Sequence, residues 1–274
     1  MRIWFDGALR DAEGARVSVF DHGLTVGDGV FETLKAEQGR AFALTRHLER
    51  LVTSARGLGL PAPDVDEVRR GCAAVLEANP MAFGRLRITY TGGDSPLGSD
   101  RGDAGTTLVI ALAEATRRPD TASAVTVPWT RNERGALTGL KATSYGENVI
   151  ALARAREQGA SEALFGNTVG ALCEGSGSNV FVVIDGELHT PPLTSGCLPG
   201  ITRALTVSWT GAAETDLPLD VLERADEIFL TSSLRDIQAV TRIDGRQLAA
   251  VPGPVTAKAM RVFAERTAAD FDPR

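Results

Sequence analysis

Two hydrophobic periods alternate along the chain. Period-two runs predict strands at residues 2–5, 30–36, 40–44, 86–91 and 107–113. Asp6-Gly7, before Leu9, and Glu37-Gln38-Gly39, before Arg40, are turn formers that predict two hairpins. Between the strands, Leu48, Leu51, Val52, Ala55 and Leu58 keep a 3.6-residue stripe, so a helix is expected with Thr45 as its N-cap. Pro61-Ala62-Pro63 stops it, and Asp64 opens another helix through Val68, Cys72, Val75 and Leu76. A glycine-rich loop, residues 92–105, separates the last two strands.

A polar stretch, 114–124, interrupts the pattern around Arg117-Arg118-Pro119-Asp120 and reads as a linker. Beyond it the pattern predicts a strand at 124–128 and a helix at 147–158 that ends at Gly159. Strands follow at 162–165, 179–184 and 187–190, then helices at 202–210 and 219–224. Strands at 228–231 and 240–243 and a helix at 255–267 close the chain. The expected class is α+β in both halves. The expected domains are a small one over 1–116, a linker over 117–124 and a larger one over 125–274.

Composition narrows the class of function. The 274 residues are 43% hydrophobic and 23% charged, which excludes disorder, collagen-like repeats and a coiled-coil rod. The longest apolar run, 108–113, is too short for a bilayer, and the N-terminus has no apolar stretch of leader length. A cytoplasmic protein without membrane association is expected. A net charge of −6 with no basic stretch excludes a nucleic-acid partner. Cys72, Cys173 and Cys197 are too widely spaced for a metal knuckle and are expected as buried free thiols, with no metal site.

Lysine is scarce: of 29 cations only Lys35, Lys141 and Lys258 are amines. An amine forms Schiff bases and can lose its proton, whereas a guanidinium does neither. Lys141 follows Gly139-Leu140 and has Ala142 and Tyr145 as neighbours, which are not surface-like. Glu174-Gly175-Ser176-Gly177-Ser178-Asn179 sets a carboxylate before a small-residue turn that a flat ligand can approach closely. Leu198-Pro199-Gly200-Ile201-Thr202-Arg203 opens a helix, whose first N–H groups form an anion site. Thr231-Ser232-Ser233-Leu234 adds hydroxyl donors. Reactive amine, carboxylate and anion-binding helix start are together what pyridoxal phosphate requires.

Glu174 through Arg203 resembles the signature of the class IV aminotransferases, the fold-type IV pyridoxal phosphate enzymes. The matching positions are Glu174, Ser176, Asn179, Val180, Phe181, Leu188, Thr190, Leu198, Gly200, Ile201 and Arg203. Asp21-His22-Gly23, Gly27-Asp28-Gly29-Val30-Phe31-Glu32 and Arg46-His47-Leu48-Glu49-Arg50-Leu51 are similar to the family's N-terminal motifs. The resemblance implies a small α/β domain, a larger pseudobarrel domain and a homodimer whose partner contributes to the site. It makes Lys141 the Schiff-base lysine and proton shuttle, and Glu174 the partner of the ring nitrogen. Arg50, Ser178, Asn179, Ile201, Thr202, Ser232 and Ser233 become cofactor contacts.

Phe31, Thr33, Arg87, Leu97, Arg101 and Tyr145 are the expected substrate contacts. Gly175–Phe181 and Gly200–Arg203 look like the D-amino acid group, so a D-amino acid aminotransferase acting on 2-keto acids is expected, with (R)-amines as further donors. Phe31 stands where that group has a tyrosine, and Leu97 and Ser99 stand where it has arginine and histidine. Phe31-Glu32-Thr33 and Thr231–Arg235 look more like 4-amino-4-deoxychorismate lyase, the alternative. A catalytically inert small-molecule binder on this scaffold is the reading from another class, opposed by intact Lys141, Glu174 and Arg50.

Overall fold

The computed structural model describes residues 1–103 and 105–274. The chain forms two compact units, Met1–Arg117 with Leu140–Ser144 and Phe271–Arg274, and Arg118–Gly139 with Tyr145–Asp270. The first holds β1 (Arg2–Phe5), β2 (Ala8–Asp11), α1 (His22–Thr25), β3 (Gly29–Glu37), β4 (Arg40–Ala41), α2 (Leu44–Gly57), α3 (Val65–Ala78), β5 (Phe83–Thr91) and β6 (Thr107–Glu114). The second holds β7 (Thr121–Arg131), α4 (Gly146–Glu157), β8 (Glu162–Asn167), β9 (Leu172–Gly175), β10 (Asn179–Ile184), β11 (Glu187–Thr190), α5 (Ile201–Thr210), β12 (Ala213–Glu214), α6 (Val221–Arg224), β13 (Glu227–Ser232), β14 (Asp236–Ile243), β15 (Arg246–Gln247) and α7 (Pro254–Ala269). Helix and sheet mix in both, as the α+β expectation requires.

In the first unit an antiparallel sheet runs in the order β2-β1-β6-β5-β3-β4. Strand alternation gives it two chemically different faces. Val30, Leu34, Leu86, Ile88, Ile110 and Leu112 are buried in one cluster with Leu48, Leu51 and Ala55 of α2 and Val68, Cys72 and Val75 of α3. Gly71 permits this approach, since a Cβ there would lie 2.7 Å from Ile110 Cδ1 and 2.8 Å from Trp4 Cγ. The alternate positions, Phe31 opposite Thr89 and Thr33 opposite Arg87, belong to the other face.

Two short segments from far along the chain complete this unit, and no hydrophobic period announced either. Residues 140–144 lie antiparallel beside β3, with Val30 opposite Ala142: Phe31 N donates to Lys141 O at 2.9 Å and Thr143 N to Gly29 O at 2.8 Å. The C-terminal tail holds the start of α2. Thr45 is not its N-cap as expected. The helix begins behind Ala43 at φ 51°, which has no capping side chain. Instead, Asp272 accepts from Thr45 N at 2.8 Å and from Thr45 Oγ1 at 2.7 Å. A carboxylate here satisfies a helical N–H and complements the helix dipole.

The second unit is a curled mixed sheet in the order β12-β11-β10-β13-β14-β7-β8-β9, with β15 on β14. β7 pairs in parallel with both β14 and β8. It begins at Thr121, so residues 121–124 of the expected linker are strand. Their alternation of Thr and Ser with Ala masked a half-buried strand. β9 also escaped the pattern, being four residues long and ending in the polar Glu174-Gly175. Ala124, Leu164, Val180, Val182, Ile228, Leu230 and Val240 form its core with Val221 and Leu222 of α6.

All three cysteines are buried and free, and burial pushes the Cys72 thiol up to about 12. Among the described residues no helix is long and apolar enough to cross a membrane.

Asp272→Ala removes a cap that α2 cannot replace from its own sequence. The change should cost about 1 kcal/mol of stability. Urea denaturation measures it, and an unchanged midpoint would show that the tail contributes nothing to α2.

Candidate functional site

The first unit gathers Lys141, Phe31, Arg87, Glu32, His47 and Arg50. Lys141 is held by its backbone: Lys141 N donates to Ser54 Oγ of α2 at 3.2 Å, and Lys141 O accepts from Phe31 N. Its Nζ lies 4.4 Å from the centre of the Phe31 ring. The Arg87 guanidinium stacks on the same ring at 3.4 Å. Arg87 also donates to Thr89 Oγ1 at 3.3 Å and to Thr33 Oγ1 at 3.4 Å. Amine, aromatic ring, guanidinium and two hydroxyls therefore share one neighbourhood.

On the helix-facing side of β3, Glu32 is fully buried beneath α2. Arg50 approaches it side-on, with Nε 2.8 Å from Oε1 and Nη2 2.7 Å from Oε2. His47 Nδ1 lies 2.6 Å from Oε2. Burial alone would raise the Glu32 pKa, but Arg50 and His47 outweigh it and hold the carboxylate down to about 2. Burial lowers the His47 pKa below its ordinary value of 6.5, against the pull of Glu32. The neutral ring then donates from Nδ1 to Glu32. One helical turn separates His47 from Arg50, so the two reach a single strand residue together.

The second unit holds Glu174 and the groups expected to bind an anion. Glu174 Oε1 accepts from Arg131 Nε at 3.1 Å, and Oε2 accepts from Leu198 N at 2.9 Å. Arg131 lies over Phe165, the cross-strand partner of Glu174, at 4.0 Å. Asn179 Nδ2 donates to Leu198 O at 2.9 Å, and Asn179 is paired with Thr231 across β10 and β13. The turn before α5, the end of β10 and the end of β13 thus meet at Asn179. Gly200 has to be glycine there, because a Cβ would overlap Asn179 Oδ1. Ile201 and Thr202, both buried, open α5, which has no side-chain cap. Ser232 ends β13 and Ser233 begins the following turn.

The other expected residues divide. Arg101 is engaged within its own unit. It donates to Asp28 at 2.7 and 2.6 Å and to the carbonyls of Gly59 and Leu58 at 2.6 and 2.7 Å. Arg101 and His22 lower the Asp28 pKa against a burial effect in the other direction. Leu97 is 74% exposed and offers no anion contact. Ser178 donates its hydroxyl to buried Glu162 at 3.1 Å, so it braces its turn. Tyr145 precedes α4 in the second unit. Sequence reasoning missed Arg131, Glu162 and Arg235, because an arginine in a strand or turn carries no local signal of its partner.

The residues fit pyridoxal phosphate in two respects. α5 presents the uncapped N–H groups of its first turn, and the buried Thr231 Oγ1 beside Asn179 has no hydrogen-bond partner among the described residues. Both are donors suited to a phosphate. Glu174, fixed by two donors, suits a ring nitrogen that must stay protonated.

Comparison with known proteins agrees. The sequence profile described as amino-transferase class IV matches residues 29–243. A Methanocaldococcus jannaschii protein provisionally named a branched-chain-amino-acid aminotransferase is 34% identical, over 90% of this chain and 89% of its own. A Staphylococcus haemolyticus D-alanine aminotransferase is 29% identical over 96% of each. The crystal structure of a Thermoproteus uzoniensis branched-chain aminotransferase with norvaline superposes with a TM-score of 0.90, at 31% identity over 97% of this chain and 94% of that one. A Mycobacterium tuberculosis aminotransferase described as hypothetical, with α-ketoglutarate and pyridoxamine phosphate bound, gives 0.88 at 27% identity over 98% and 100%.

The Glu32 cluster predicts how stability depends on pH. Both folded-state pKa values lie below the unfolded ones, so the unfolded chain binds more protons and stability rises with pH. The His47 contribution is complete above 6.5 and declines as pH falls below it; that of Glu32 declines from its ordinary 4.5 toward about 2. His47→Gln should remove the decline that starts near 6.5 and leave the more acidic one. Denaturant titrations between pH 8 and 3 test this, since they span the His47 decline and the onset of the Glu32 one. An unchanged profile would mean that His47 does not titrate on unfolding.

Proposed function

This chain belongs to the class IV aminotransferases, which are pyridoxal-phosphate-dependent, and we propose that it transfers the amino group of an amino acid with an apolar side chain to a 2-keto acid. The observation that carries the reading is the shared Phe31 ring, with the Lys141 amine at 4.4 Å and the Arg87 guanidinium at 3.4 Å. An amine that moves a proton at the substrate Cα has to sit within a few ångströms of an anchor for the substrate carboxylate. Arg87 is that anchor in this proposal, braced by Thr33 and Thr89.

Bound pyridoxal phosphate supplies an electron-accepting ring. Lys141 holds the cofactor through its amine and carries the proton to and from the substrate Cα. Glu174 keeps a proton on the ring nitrogen. Asn179, the first turn of α5 at Ile201 and Thr202, and Ser232 and Ser233 hold the phosphate, joined by Arg50. The Phe31 ring, in place of a hydroxyl, favours an apolar side chain on the donor.

Branched-chain amino acids are the first donors in this reading, supported by the Methanocaldococcus and Thermoproteus relatives. D-amino acids are the second, supported by the turn from Gly175 to Phe181 and by the Staphylococcus relative. A second copy of the chain is the proposed partner. Val19 (70% exposed), Phe20 (51%) and Leu24 (67%) are exposed apolar side chains that a second copy would cover.

Single-turnover absorbance of the cofactor-loaded protein tests the donor with L-leucine, D-alanine, (R)-phenylethylamine and 4-amino-4-deoxychorismate. Conversion by L-leucine supports the first reading, and conversion by D-alanine or the (R)-amine alone replaces it with the second. Pyruvate release from the chorismate derivative, without conversion, would make the protein a lyase. Lys141→Ala should lose turnover by roughly 10²–10⁴-fold. Arg87→Met should lower kcat/KM for amino acids by about 10–100-fold and spare (R)-phenylethylamine, which has no carboxylate. Equal losses for both donors would remove Arg87 from the carboxylate site. Sedimentation should give twice the chain mass.

A further inference from the structure

We propose that the buried Glu162–Arg235 pair is a positioning element that fixes the two turns flanking the phosphate site, an inference that rests on the cofactor reading above. Glu162, the first residue of β8, is fully buried and gathers donors from both turns. From the turn after Glu174 come Ser176 N at 3.0 Å, the Ser176 hydroxyl and Ser178 Oγ at 3.1 Å. From the turn after β13 comes Arg235 Nη2 at 2.6 Å. Ala163 N adds a fifth bond at 3.2 Å.

Arg235 works at both ends. Its backbone N donates to Ser232 O at 3.1 Å and closes the turn that carries Ser232 and Ser233. Its side chain, 5% exposed, reaches Glu162 through one nitrogen and Gln238 Oε1 through another at 2.7 Å. Gln238 in turn donates to Thr121 O at 3.1 Å and to Pro119 O at 2.5 Å. The anchored turns lead into the strand ends paired at Asn179 and Thr231, where the uncapped start of α5 also lies. One carboxylate therefore sets the spacing between the groups expected to hold a phosphate. None of the five bonds involves a group assigned to the reacting atoms, so the pair acts through the turns. Gly175 is required by the same geometry, because a Cβ there would press on Ser178 Oγ and on the Glu162 carboxyl carbon.

An apolar pair could fill this volume with less desolvation, since a buried ion pair is poor value for stability alone. What the pair gives is direction: a guanidinium fork and a two-oxygen acceptor fix both turns at once.

The test compares two ligands of the apoprotein. Pyridoxal phosphate and unphosphorylated pyridoxal are titrated by absorbance and fluorescence into wild type, Arg235→Met and Arg235→Lys. The inference expects Arg235→Met to weaken pyridoxal phosphate by about tenfold or more while leaving pyridoxal within about twofold. Arg235→Lys should recover part of the loss. An equal loss for both ligands, or none for the phosphate ester, overturns the inference. If Arg235→Met does not fold, Glu162→Gln/Arg235→Met, which removes both charges, is read by the same criterion. Wild type that binds no pyridoxal phosphate would instead sink the cofactor reading.

Discussion

A carboxylate without solvent must be met by donors, and Glu32 imposes that condition on the first unit. It sits on the core-facing side of β3, where its neighbours Val30 and Leu34 are fully buried. Leaving it unpaired there would cost several kcal/mol, so its donors are obligatory. His47 and Arg50 meet the condition from α2, and this ties the helix to the strand at one point. Phe31, next in the strand, is turned to the opposite face by the pleat. The same strand therefore presents buried charge to its helix and an aromatic ring to Lys141 and Arg87. A shift of one residue in register would exchange these roles and bury the ring where the carboxylate now sits.

The second unit solves the same problem with different chemistry. Glu174 is held by a backbone N–H and an arginine that itself lies on an aromatic ring, which fixes its direction while leaving it 13% exposed. Glu162 is sealed and fully used. In the proposed function the part-buried carboxylate meets a ligand, and in the further inference the sealed one braces the turns, so burial would separate two acids of one sheet into different tasks. Both arginines concerned, Arg131 and Arg235, belong to a chain in which arginine outnumbers lysine 26 to 3 (29 cations less three lysines). Guanidinium forks suit fixed pairs, and the amine is left for the chemistry only an amine performs.

Part of the fold and of the proposed site is legible in the sequence. The scarcity of lysine pointed to Lys141, the small-residue turn to Glu174, and Pro199-Gly200 to the start of α5. Each is a local signal, written within a few residues. What escaped were long-range pairings. Asp272 caps a helix 227 residues away, and residues 140–144 pair beside a strand about a hundred positions earlier. Arg235 reaches Glu162 across 73 residues. No periodicity encodes such partners, because a charged side chain in a turn looks the same whether it meets water or a buried acid. The reading of Thr45 as a cap failed for the same reason: its N–H and hydroxyl are both donors to a carboxylate that arrives from the other end of the chain.

The arginines of the first unit differ in the partners they already hold. Arg101 lies in a glycine-rich loop and looked suitable for an anion. Four short bonds to Asp28 and two carbonyls engage its fork, and drawing it away would leave a carboxylate that is only 10% exposed to His22 alone. Arg50 is bound side-on to Glu32 within the core. Arg87 lies on an aromatic face and reaches two hydroxyls at 3.3 and 3.4 Å. A substrate carboxylate that replaced a hydroxyl contact would exchange a long neutral bond for a charge-assisted one, a gain of about 1 kcal/mol or more.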